Sequence, residues 1–132
     1  MTTINWSLNL QVIGGMQIPV SGSKPVEAYD KIEVVINPDS TEKSVEIQPG
    51  SADQVNLLLI KSNLYGPNIT YKASDGTNDS VSITLDDPQV FLGSGSVSLL
   101  TVAPKILKFK NTHTEQDKKA FIEILVGRDA MP

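Results

Sequence analysis

Apolar and polar residues alternate strictly along the first predicted strand of this chain. Residues 4–13 read INWSLNLQVI, and up to Val12 each even position is apolar and each odd position is polar. A period of two places successive side chains on opposite faces of a strand, so the pattern predicts one buried and one solvated face. Gly14-Gly15 supplies a turn, and MQIPV resumes the alternation. Pro19 cannot donate to a strand ladder, which marks this second segment as an edge or bulged strand.

Short segments of the same kind continue along the chain after SGSKP (21–25), which reads as a loop. QVNLLLIK (54–61) is the most continuously apolar of them, which predicts a strand at the centre of a sheet. ITYKAS and SVSITL flank the polar loop DGTND and predict a hairpin that places Tyr71 opposite Ile83. The other predicted strands are YDKIEVVI, SVEIQP, QVFL, SVSLLTV and KILKFK.

Residues 115–126 fit two patterns. Thr114 and Asp117 resemble a helix capping box, and Phe121, Ile124 and Leu125 follow at helical spacing. The same segment alternates with β-branched residues in FIEILV (121–126), and we favour a strand because the rest of the chain is β. The whole predicts one all-β domain over residues 1–132, an antiparallel β-sandwich or jelly roll of about nine or ten short strands.

The amino-acid composition argues against several kinds of site and partner. The 132 residues contain no cysteine, which removes disulfides, zinc–thiolate sites and thiol nucleophiles. No basic segment followed by an apolar run begins the chain, and no run approaches a membrane helix, so we expect cytoplasmic synthesis and no membrane partner. The net charge is −4, with 11 acidic residues and 5 lysines in residues 1–104, so binding to nucleic acid is not expected.

The motifs of catalysis are missing. The single histidine, His113, stands in a loop with no nucleophile or metal-binding motif beside it. Asp86-Asp87 precedes a proline and reads as turn chemistry, not as a pair of catalytic carboxylates. GSGS (93–96) lacks the Lys-Ser/Thr of a phosphate-binding loop and reads as a hairpin connection. We therefore expect no enzyme and no cofactor.

Two loops carry candidate ligand sites. Asp75, Asn78 and Asp79 in DGTND present the oxygen atoms that calcium prefers, although a simple hairpin turn explains the same residues. Tyr65 in NLYGPN, with Tyr29 as a second candidate, offers a ring for stacking on a sugar, or a lid over the end of the sandwich. These loops define the alternative function, a small carbohydrate- or calcium-dependent binding module.

A resemblance suggests a different function. The short polar N-terminus, the successive β pairs, the segment LKFKNT and the ending IEILVGRDAMP resemble small β-sandwich structural proteins of tailed-phage-like particles, such as head-decoration and accessory virion proteins. The resemblance implies a non-enzymatic protein that self-associates, often as a trimer, and binds other proteins of a capsid or tail lattice. The uncharged polar face of the first strand, with Asn5, Asn9 and Gln11, is the surface we expect to contact another subunit, because neutral groups cost less to desolvate than charges.

Overall fold

A computed structural model describes residues 2–48 and 54–129. Within these residues the chain forms ten β-strands, one short helix and one 3₁₀ turn. The strands are β1 (Thr2–Gln11), β2 (Gln17–Val26), β3 (Ala28–Ile36), β4 (Lys43–Glu46), β5 (Val55–Ser62), β6 (Ile69–Ser74), β7 (Ile83–Thr84), β8 (Gln89–Leu92), β9 (Ile106–Asn111) and β10 (Ala120–Arg128). The helix α1 (Ser94–Val97) leads into the 3₁₀ turn Ser98–Leu100.

Strands β3 to β10 form a jelly roll. β3 pairs with β10, β4 with β9, β5 with β8 and β6 with β7, all antiparallel, so this part of the chain is one long hairpin. The hairpin is rolled up because β10 also pairs with β5 and β9 also pairs with β6. The result is a first sheet, β3-β10-β5-β8, and a second sheet, β4-β9-β6-β7. Two four-stranded antiparallel sheets in this order are a jelly roll, one of the two predicted forms.

The core lies between the two sheets. Strand periodicity turns alternate residues of each strand inward, as Leu58 and Ile60 do from β5 and Leu107 and Phe109 do from β9. The predicted central strand is confirmed, since β5 lies between β10 and β8. Residues 120–128 are a strand and not a helix, as the β-branched alternation indicated. Burial of one face in this core therefore holds the strands of the jelly roll in register.

One predicted strand is wrong. SVSLLTV continues from α1 into the 3₁₀ turn, and GSGS begins the helix instead of connecting a hairpin. Gly93 has φ 93° and accepts a hydrogen bond at its carbonyl from the N–H of Val97, at 3.0 Å, which starts the helical turn. Val97 and Leu100 are both buried, and their spacing of three residues suits a helical turn and not a strand.

The segment SGSKP is not a loop but the second half of β2. Its residues continue the pairing with β1 without a break, from Ser21 opposite Ser7 to Pro25 opposite Thr3. Pro19 is accommodated in an edge strand, as expected, and without a bulge. The structure therefore extends the first hairpin well beyond the predicted alternation.

Candidate functional site

The first hairpin stands apart from the jelly roll. β1 and β2 form a two-stranded sheet of their own, and each has the other as its one strand neighbour in the described chain. At the far end, Gly15 donates its N–H to the carbonyl of Val12, and Val12 donates to Met16, both at 2.8 Å. Gly14 takes φ 77°, a left-handed conformation that glycine adopts without strain. We call residues 2–26 the arm, the turn at 13–15 its tip, and the end near Val26 its root.

One face of the arm is apolar and open to solvent. Residues directly opposite each other share a face, so Leu8 and Val20 lie together, as do Leu10 and Ile18. The exposed apolar side chains are between 47 and 93% accessible: Leu8, Leu10, Val12, Ile13, Met16, Ile18 and Val20. The expectation that the chain buries this face in its own core is wrong, because the arm extends past the sheets that would cover it.

The arm also lacks charge. Residues 1–23 contain no Asp, Glu, Lys or Arg, and the first charged side chain is Lys24 at the root. A solvated strand surface normally carries such side chains, which keep sheets soluble and separate. A two-stranded hairpin by itself is at best marginally stable in water. The arm therefore combines exposed apolar side chains with an absence of charged ones.

The root of the arm is fixed to the outer face of the first sheet. Gly127 of β10 leaves space there, since a Cβ at this position would lie 2.9 Å from Val26 Cγ1 and 3.5 Å from Ile4 Cδ1. Val26 is buried, and the N–H of Glu27 donates to the carbonyl of Arg128 at 2.9 Å. The apolar face of the arm thus meets the sheet at its root, while the rest projects away.

Trp6 also lies on the apolar face of the arm. A Cβ at Gly22, its cross-strand partner, would lie 2.8 Å from the indole ring, so the ring covers the glycine. An aromatic ring over a cross-strand glycine compensates for the missing side chain and supports the pairing. Trp6 is the single tryptophan of the chain, so its fluorescence reports on the arm alone.

The polar residues predicted as an interface lie on the opposite face of the arm. Asn5, Asn9 and Gln11 are all in β1, and the side-chain oxygen of Asn5 accepts a hydrogen bond from the Ser23 hydroxyl at 2.9 Å. Their neutral side chains are the basis of that prediction, whereas the apolar face, which the alternation predicts to be buried, is exposed. Contact through the polar face stays a prediction, and the apolar side chains are the surface that the sequence reasoning missed.

The residues of the candidate calcium loop are engaged within the protein. One carboxylate oxygen of Asp75 accepts the N–H groups of Asn78 at 2.7 Å and Thr77 at 2.8 Å, and these bonds lower the pKa of Asp75. Asp79 pairs with Lys108, with carboxylate–Nζ distances of 2.9 and 3.1 Å, which lowers the pKa of the acid and raises that of the lysine. The Asp75 carboxylate therefore stabilises the turn, and the Asp79 carboxylate binds Lys108 of the neighbouring strand β9.

The candidate sugar-binding tyrosines are separated. The hydroxyl of Tyr65 accepts the N–H of Ser62 at 3.0 Å, and its half-buried ring packs against the core. Tyr29 is exposed on β3, in the row of Gly127 on the first sheet. The structure does not bring the two rings together as a stacking platform.

The candidate catalytic groups are also scattered. His113 Nδ1 lies 3.8 Å from a carboxylate oxygen of Glu115, while Asp86 and Asp87 are exposed in a separate bend. Over residues 2–48 and 54–129, no three His, Cys, Asp or Glu side chains are grouped so as to hold a metal ion. An apolar pocket of about 210 Å³ beside α1 has a lining without any ionisable side chain, from Val55 to Pro104.

Comparisons with protein-family models, with curated proteins and with solved structures found no match for this chain. In the described part of the chain, no helix has the length and apolar character required to cross a membrane. The candidate functional site therefore rests on the geometry of the arm.

Proposed function

We propose that this protein is a non-enzymatic structural subunit that self-associates through its N-terminal arm. The observation that carries the proposal is the uncharged hairpin whose apolar face, from Leu8 to Val20, is left uncovered by the described part of its own chain. Monomeric proteins rarely expose a contiguous apolar surface of this kind unless a partner covers it. The resemblance to accessory proteins of phage-like particles supports a larger lattice as the setting for this association.

The free energy gained by burying the apolar side chains of the arm is comparable to the cost of association. Full burial of one Leu, Ile, Val or Met side chain contributes about 1.5–3 kcal/mol. The exposed apolar side chains nearest the edge of β1 are Leu8, Leu10, Val12 and Ile13. Buried by about half on each of two arms, these four contribute about 6–12 kcal/mol. Association costs roughly 4–15 kcal/mol in lost freedom. The arms alone therefore bring the balance close to a stable complex.

The distribution of charge along the chain is compatible with a second copy as the partner. Each copy has a net charge of −4, so contact between two bodies is opposed by repulsion. The arm separates the attractive surface from that charge, since its residues 2–23 are neutral. Association through the arms therefore avoids the electrostatic cost of bringing two acidic bodies together.

Lysines on the apolar face are expected to convert the assembly into monomers. Leu10 and Ile18 are cross-strand partners on that face, and the variant Leu10→Lys with Ile18→Lys places two charges on it. Losing two half-buried side chains costs about 1.5–3 kcal/mol, which corresponds to a drop of about tenfold or more in association. Light scattering behind a sizing column gives the mass of each species.

The matched control uses two positions on the polar face of the same hairpin, both on β2 and away from the edge of β1. Gln17→Lys with Ser21→Lys adds the same charge there, at side chains that are likewise exposed. We expect this control to stay assembled. If the control alone dissociates, the polar face is the interface; if neither variant changes the mass of an oligomer, the arm does not hold it together.

A further inference from the structure

The two outer edges of the arm differ in their capacity to accept another strand. The bond from the N–H of Val12 to the carbonyl of Met16 sets the phase of the β1–β2 ladder. In an antiparallel pair, backbone groups alternate between facing the partner strand and facing outward. Even-numbered residues of the arm therefore bond across the hairpin, and odd-numbered residues direct their N–H and carbonyl groups to the outer edges.

Prolines close the outer edge of β2. Pro19 and Pro25 are both odd-numbered, so each removes an N–H from the outward row. Proline on an edge strand is one of the ways in which proteins prevent further pairing. The outward row of β1 contains no proline and no charge, and it retains every N–H: Thr3, Asn5, Ser7, Asn9 and Gln11. The arm is thus blocked on one edge and open on the other.

The other sheet edges of the described chain are less suitable. β3 exposes the charged pair Lys31 and Glu33, and β4 is four residues long with Lys43 and Glu46. β8 has four residues and β7 has two. The edge of β1 is ten residues long and uncharged, so it is the one described edge that combines length, neutrality and a complete row of donors.

We propose that β1 of one copy pairs antiparallel with β1 of a second copy about a two-fold axis, a deepening that rests on the proposed self-association. A ring of head-to-tail copies requires β1 of each arm to pair with β2 of the next, and the prolines of β2 oppose that contact. The remaining use of the open edge is pairing with its own copy, which a two-fold axis permits because both partners present the same surface.

This pairing has a defined register. The outward residues are odd-numbered, so odd residues of one β1 oppose odd residues of the other and the two apolar faces fall on the same side. With Ser7 at the axis, Asn5 of one copy faces Asn9 of the other, and Thr3 faces Gln11. On the apolar side the two arms meet edge to edge, so Trp6 of one copy lies beside Leu8 of the other. The predicted interface residues then lie across the seam as neutral cross-strand pairs, while the arms form one sheet in the order β2-β1-β1-β2.

The antiparallel direction also brings the tip of each arm to the root of the other. At the root, the arm rests on the outer face of the first sheet, around Gly127. In the adjoining row of that face, Leu59 lies between Leu125 and Val90, and Val90 is 52% exposed. The exposed side chains near the tip, such as Ile13, thereby reach an apolar surface of the second copy.

Proline at Ser7 tests the proposal against proline at Ser21. The two serines are cross-strand partners, both exposed and both odd-numbered, so each substitution removes one outward N–H and differs only in the edge it blocks. We expect Ser7→Pro to weaken association at least tenfold in a light-scattering dilution series. We expect Ser21→Pro to leave it within about twofold, because β2 already carries two prolines in this row.

Hydrogen exchange of backbone amides in the unaltered protein tests the same pairing without a substitution, so its result does not depend on whether proline disrupts the hairpin. At concentrations where the oligomer forms, the Ser7 amide is expected to exchange at least tenfold more slowly than the Ser21 amide. Equal exchange of the two amides, or equal effects of the two prolines, overturns β1 pairing while leaving the lysine test of self-association intact. A trimeric mass overturns the two-fold arrangement, and a monomeric unaltered protein overturns both proposals.

Discussion

Replacing Phe109 with alanine is expected to lower the free energy of unfolding by about 3–5 kcal/mol, the cost typical of removing a buried aromatic ring. Phe109 is fully buried at the centre of β9, and its ring centroid lies 5.7 Å from that of Tyr71 on β6. The cavity cannot close easily, because both neighbours of β9 in the second sheet hold the backbone in place. Urea unfolding followed by circular dichroism measures the change.

Phe121→Ala is the control for that prediction. Phe121 lies on β10 with its side chain on the outer face of the first sheet, 53% exposed, and its removal leaves no cavity. We expect a loss of less than about 1 kcal/mol. Similar losses for both variants would contradict the placement of the core between the sheets.

Replacing Asn111 with leucine is expected to cost about 2–4 kcal/mol, because a buried polar group left without its partner costs about 1–3 kcal/mol. The Asn111 side chain is inaccessible to solvent and donates to the carbonyls of Ile36 at 3.1 Å and Lys118 at 2.7 Å. Its oxygen accepts the N–H of His113 at 3.1 Å. Leucine has a similar size but leaves all three groups unsatisfied, and urea unfolding again measures the loss.

The exposed Asn9 supplies the comparison for Asn111. Asn9→Ala removes an amide from the arm, which contributes little to the stability of the jelly roll, so we expect a change within about 0.5 kcal/mol. A small loss for Asn111→Leu as well would mean that the three backbone groups find water or other partners. The residue would then not fix the loop that precedes β10.

Much of the jelly roll could be predicted because each of its strands carries its own burial signal. β5 is nearly all apolar since it lies between two strands and inside a covered sheet, and Leu107 and Phe109 alternate with lysines because one face of β9 is open. The pairing of Tyr71 with Ile83 follows from the loop length between β6 and β7 and is confirmed. Local patterning decides these elements, so a single sequence suffices for them.

The errors arise where the pattern is short or has two meanings. SVSLLTV offers only a few apolar residues, and the spacing of Val97 and Leu100 suits a helical turn once Gly93 has set the backbone. In SGSKP, glycine and proline signal a loop, yet both fit an edge strand. Trp6 covers Gly22, and Pro25 lies at a position whose N–H would point away from β1, so no bond of the hairpin is lost. Tertiary position overrode the local preference in both segments.

The sequence analysis selects the first strand as a contact surface, but it selects the polar face of that strand and not the apolar one. Alternation shows that Leu8, Leu10 and Val12 share a face, but it does not show what covers that face. The absence of charge over residues 1–23 is the signal that could have pointed to the exposed apolar face, since a strand covered by its own core usually has charges on its other side. Whether a face meets its own chain or another copy depends on tertiary packing, which alternation does not encode.

The native mass of the unaltered protein, measured by light scattering across a dilution series, tests the central claim most directly. The chain has a mass of 14.3 kDa. Self-association through the arms predicts an oligomer that dissociates on dilution, with a change in Trp6 fluorescence at the same concentrations, because the indole lies where the two arms meet. A 14.3 kDa monomer at every concentration, with unchanging fluorescence, would contradict the account.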